Sequence, residues 1–157
     1  MSIAAALLEA APGRVPKLVQ DGHGDAQVLQ LLAAYTAEEL FPGARAPKGA
    51  LAGLFFHFDC WPQAHEVAQD DPSTEGSYWH GMVHRQEPDA SNANYWFRRV
   101  GTHPVPAKLA QRFGRWDAAE FVDFCGRARP GSQEETDALA RQLAEWRLLY
   151  EFCKESA

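Results

Sequence analysis

Cysteine is scarce in this sequence, and what there is stands unpaired. Cys60, Cys125 and Cys153 are isolated along 157 residues. No C-x-x-C spacing is on offer for a zinc ribbon or a redox disulfide, and an odd set of lone thiols suits a reducing, cytoplasmic setting. Basic charge is short as well: 15 Lys and Arg stand against 21 Asp and Glu, a formal net charge of −6. That balance argues against nucleic acid and against an acidic membrane surface as partners. Long apolar runs are missing too. The longest, Ala50 to Phe56, is far too short to cross a bilayer. The N-terminal MSIAAALLEAAPG lacks a basic flank and carries Glu9, so it reads as a short helix and not as a signal peptide. Internal repeats and low-complexity tracts are absent. Period-two alternation is weak, and only 15–19 and 100–105 leave room for short strands.

What remains is ordinary globular composition, 46% hydrophobic and 23% charged, over one domain's length. The expected fold is all-α: a single-domain irregular helical bundle covering 1–157. Helix punctuation divides the chain. A first helix covers 2–11 and stops at Pro12-Gly13. Asp25 caps a second that runs to Leu40, before Pro42-Gly43. Pro47 starts a third, ending at Phe58. Asp59 caps a fourth, with Pro62 in its first turn and its end near Asp70. After a polar loop at 71–76, helices are expected from Ser77 to Gln86, from Asn92 to Val100, from Pro106 to Phe113 and from Asp117 to Arg127. Ser132-Gln133-Glu134-Glu135 signals a capping box before a long last helix, with a buried stripe of Leu139, Leu143, Trp146, Tyr150 and Cys153.

Histidine is abundant, and it is clustered. Five of the six fall between residues 57 and 103, together with Trp61, Trp79 and Trp96. His80 and His84 are spaced i, i+4, which puts both imidazoles on one helix face, as two ligands of one ion require. Gly81 stands where a zinc peptidase of the H-E-x-x-H type has glutamate, so that family is excluded. His65 on the preceding helix is the natural third ligand. The ion would be one divalent transition metal: zinc, iron, nickel or manganese, which ligand type alone does not separate. Three histidines leave a position for water, and the metal makes hydroxide available near neutral pH. Glu87 and Asp89 are the candidate proton-handling residues. Arg85 and Arg98 suit a small anionic ligand, with Asn92, Trp96 and His103 as further binding candidates. Each has a plainer reading: His103 as a turn residue, Asn92 as a cap, the arginines as ion-pair partners and the aromatics as core.

The stretch GSYWHGMVHRQEPDASNANYWFRRVGTHPV, residues 76–105, resembles the signature of a family of uncharacterised microbial proteins. That signature is S-Y-W-H-x-x-x-H-R-x-E-x-D-x-x-N-x-x-Y-W-F-R-x-x-G-x-H-P, preceded by a helix matched here by Trp61 and His65. The likeness covers 57–105. It implies a shared set of His65, His80, His84, Arg85, Glu87, Asp89, Asn92, Tyr95, Trp96, Arg98 and His103, with no established activity attached. The residues therefore support a metal-dependent, hydrolase-like enzyme acting on a small anionic molecule. The alternatives are a small-molecule binding module without catalysis, or a buried polar network whose function lies in a protein partner. A homo-oligomer is compatible with all of them.

Overall fold

The structure is a computed structural model and describes residues 1–157. Ten helices follow one another: α1 Ile3–Ala10, α2 Ala26–Leu32, α3 Ala37–Leu40, α4 Pro47–His57, α5 Trp61–Gln69, α6 Thr74–Gln86, α7 Ala90–Val100, α8 Pro104–Phe113, α9 Ala118–Arg127 and α10 Gln133–Lys154. The fold is all-α. Neither 15–19 nor 100–105 forms a strand, and the sole β pairing is an isolated bridge between Ala44 and Ser156.

Side-chain caps set most helix starts. Asp25 and Ser132 each accept a hydrogen bond from a first-turn N–H, as expected, and Asp89 and Asp117 do the same for α7 and α9. Four boundaries differ from expectation. The helix expected from Asp25 to Leu40 is broken, because Thr36 and Glu39 form a capping box that restarts the chain as α3. Asp59 does not cap α5. It sits at φ 59°, a left-handed conformation that Asp tolerates better than most residues, and its carboxylate accepts from the Lys17 N–H at 2.8 Å and from Arg14 at 3.1 Å. Ser73 caps α6 and draws 74–76 into the helix, shortening the expected loop. His103 caps α8, which starts at Pro104 and not Pro106.

The core is organised by α4. It is buried on every side from Gly49 to His57, as expected of a helix that is apolar all round. Around it lie α3, α5, α6 and α10. Within α4, Gly53 makes the tightest approach: a Cβ there would meet the Trp79 indole at 2.7 Å. Trp79, Phe56, Leu54 and Leu149 are fully buried at this junction, and each contributes about 1.5–3 kcal/mol of burial free energy. A small second cluster of Leu18, Phe121, Cys125 and Ala138 joins α9 to α10.

Helix α6 is the exception in composition. Every residue from Gly76 to Gln86 is buried, including His80, His84, Arg85 and Gln86. Buried polar side chains must find partners, and those partners define the rest of the molecule. The histidines turn to one side of α6 and Arg85 to the other.

Candidate metal centre

Helix α5 brings His65 to the His80–His84 face of α6. His65 Nε2 lies 3.2 Å from His80 Nε2, and one ring nitrogen from each of the three histidines lies within 4.8 Å of the others. Two nitrogens bound to one ion at about 2.0–2.1 Å in tetrahedral geometry are separated by about 3.3 Å. The His65–His80 edge already has that length. Closing His84 onto the same point takes a shift of its ring.

The second nitrogen of His84 is spoken for. Its Nδ1 sits 2.7 Å from Glu87 Oε2, one turn on at i+3. With the carboxylate accepting from Nδ1–H, Nε2 is left as the lone-pair nitrogen. A carboxylate behind a histidine is the usual way a ligand's tautomer and ring angle are fixed. The Asn92 amide nitrogen flanks the same Nδ1 at 3.4 Å. Glu87 is half exposed to solvent and His65 is partly exposed, so water reaches the cluster, whereas His80 and His84 are buried.

Electrostatics favour the uncharged, ligating form. Burial pushes the His80 imidazole down to about 3, and the neighbouring His84 and His65 add to it. His65 is lowered by burial and then by His84. Two indoles hold these rings. Trp61 stacks on His65 at 5.2 Å between centroids, anchored by its N–H donating to the Val83 carbonyl at 2.7 Å. Trp96 from α7 stacks on His80 at 3.8 Å. Gly81 allows that approach, since a Cβ there would meet the Phe97 ring at 2.8 Å.

The other candidates from sequence divide. Glu87, Asn92 and Trp96 are brought to the histidines. Asp89 is not: its carboxylate caps α7 by accepting from the Asn92 N–H at 3.1 Å. Arg85 is on the far face of α6. Its Nη2 lies 2.8 Å from Glu145 Oε2 and donates to Gln142 Oε1 at 3.2 Å, with both ion-pair side chains 1% exposed. The Tyr78 hydroxyl donates to the same Glu145, which completes a buried brace between α6 and α10. His103 is also elsewhere. Its Nδ1 accepts from the Val105 N–H and its Nε2 lies 3.3 Å from Glu75, whose carboxyl it holds below the ordinary value. Arg98 is exposed beside Asn94 and Asp117. Arg99 is the arginine that reaches an aromatic wall of the cluster, its guanidinium 5.5 Å from the centroid of the Trp96 ring.

Sequence reasoning missed Gln142 and Glu145 as buried polar residues. They occupy the Ala138–Gln142–Glu145–Leu149–Cys153 face of α10, so polar residues in a helical apolar stripe were the available signal. The three thiols are buried, and burial pushes Cys60 and Cys125 up to about 11 and Cys153 up to about 12. None is an activated nucleophile. The larger clefts lie away from His65, His80 and His84.

No protein-family model matches this chain, and neither does any curated protein or solved structure.

Proposed function

We propose that the protein is a metal-dependent enzyme with hydrolase-like chemistry, built on one divalent transition metal held by His65, His80 and His84. One observation carries the reading: one ring nitrogen from each of three histidines on two helices lies within 4.8 Å of the others. A three-histidine site leaves a coordination position for water, and zinc or a similar ion lowers that water's pKa to about 7. Glu87 is a positioning residue in this scheme, since its carboxylate orients His84. Asp89 caps α7 and is given no catalytic part in this scheme. The substrate is a small anionic molecule, and Arg99, whose guanidinium lies over the Trp96 ring, is the candidate to receive its charge.

The test is hydrolysis of small anionic esters by protein loaded with one equivalent of zinc. The expected result is turnover that His65→Ala, a partly exposed position, abolishes while the melting temperature stays close to wild type. Turnover unchanged in His65→Ala would overturn the assignment. Stoichiometric metal without turnover on any ester would reduce the site to a binding or structural centre.

A further inference from the structure

A second charged site lies on α9 and α10, away from the histidines. The chain is acidic overall, yet residues 98–129 hold seven Lys and Arg against three Asp and Glu, a local charge of +4 while the rest of the chain carries −10. This basic segment forms one side of a cleft of about 330 Å³ walled by Trp116, Phe121 and Phe124 and rimmed by Arg115, Arg127 and Arg141. That volume is at the low end of the ~300–1,000 Å³ range of small-molecule sites.

The acids at this cleft are already engaged. Glu120 pairs with Arg115 at 2.6 Å, and the Asp117 carboxylate caps α9 by accepting from the Glu120 N–H. Arg127 and Arg141 have no carboxylate partner. The Arg141 guanidinium lies on the rings of Phe113 and Phe124, 4.8 and 5.9 Å from their centroids. A guanidinium held by its face keeps its in-plane N–H groups free for an oxyanion. Trp116, which lines the cleft, carries a buried indole Nε1 that has no acceptor. An aromatic floor, two uncompensated guanidinium groups and an orphaned N–H describe a ligand that is flat, apolar on its faces and anionic at one end.

We propose that this cleft binds a small aromatic oxyanion, an aryl carboxylate or aryl phosphate. The anionic group sits between Arg127 and Arg141, an oxygen accepts from the Trp116 indole, and the ring lies on Phe124.

Calorimetric titration tests this with 2-naphthoate and phenyl phosphate as probes, and 2-naphthylmethanol and inorganic phosphate as controls. At least one aromatic anion should saturate a single site, and the two probes separate a carboxylate from a phosphate preference. The double variant Arg127→Ala/Arg141→Ala, at one exposed and one half-buried position, should weaken binding by about tenfold or more. Trp116→Phe keeps the ring and removes the N–H, and should weaken it by about threefold. His65→Ala should bind as wild type does. Four results would each overturn the proposal. One is no saturable binding of either aromatic anion. Another is equal binding by inorganic phosphate, which means an adventitious ion only. Equal binding by the neutral alcohol means a plain apolar patch. Loss of binding in His65→Ala places the anion at the histidines instead.

Discussion

At the scale of single residues, the two faces of α6 hold buried polar groups for different reasons. Glu87 acts through His84, so Glu87→Ala should leave the unfolding free energy nearly unchanged, because the carboxylate is half exposed. Loss of such an orienting partner costs about 10–100-fold in metal affinity. Competition with a chromophoric chelator would measure it, and an unchanged zinc affinity would remove Glu87 from the site. Arg85 is a matter of stability. Its pair with Glu145 is almost wholly excluded from water, at 1% exposure for each side chain. Removing one member of a buried pair strands the other charge and costs about 3–5 kcal/mol, whereas replacing both by apolar residues is often neutral. Urea unfolding should therefore find Arg85→Met strongly destabilised and Arg85→Met/Glu145→Leu only partly recovered, because the buried Tyr78 hydroxyl and Gln142 Oε1 lose their partners in the double variant. Equal destabilisation of the double variant would mean that the brace contributes net stability of its own.

At the scale of elements, the junction of α6 and α7 sets the geometry of the centre. Gly81 lets α7 approach until Trp96 lies on His80. Gly81→Ala gains up to about 1 kcal/mol of helix propensity. It also drives a methyl group into the Phe97 ring, and such overpacking costs about 1–3 kcal/mol. The net expectation is a loss of about 1 kcal/mol, with Trp96 displaced and zinc bound more weakly. A Gly81→Ala protein more stable than wild type by thermal unfolding would contradict the close packing. The same region shows what sequence makes legible. The i, i+4 histidines, the His65 helix and the caps Asp25 and Ser132 depend on local spacing and local hydrogen bonds, and spacing is what a sequence displays. Glu145 as the partner of Arg85 and Glu75 as the partner of His103 depend on which helices pack together, and no local pattern encodes that. The break between α2 and α3 is a different case. The Thr36–Glu39 capping box is itself a local signal, but the apolar spacing of Val28, Leu31, Leu32 and Tyr35 leads straight up to it and points to one continuous helix.

At the scale of the whole molecule, burial of polar groups should make stability depend on pH. His57 is the clearest case outside the centre. It is packed against Trp146 at 4.3 Å, with Phe58 on its edge, and Arg14 and Arg147 are the charges that face it. Burial, with those two arginines, pushes its imidazole from 6.5 down to about 4. A depressed value means that the unfolded chain binds more protons than the folded one between pH 6.5 and about 4. The His57 contribution is thus complete above pH 6.5, is lost progressively as the pH falls through that window, and changes no further below about 4. His57→Phe keeps the ring contact with Trp146 and removes the titration. Urea unfolding at pH 7 and pH 5 should give a smaller loss of stability for His57→Phe than for wild type. An identical loss in both would show that His57 titrates in the folded protein as it does in water.

The whole account turns on whether His65, His80 and His84 hold one ion. The direct measurement is the metal content of protein equilibrated with zinc and then gel-filtered. One equivalent bound by the wild type, and a small fraction of that by His65→Ala and His84→Ala at unchanged helical content, is the predicted result. Zinc retained equally by wild type and both variants, or by none of them, would contradict it.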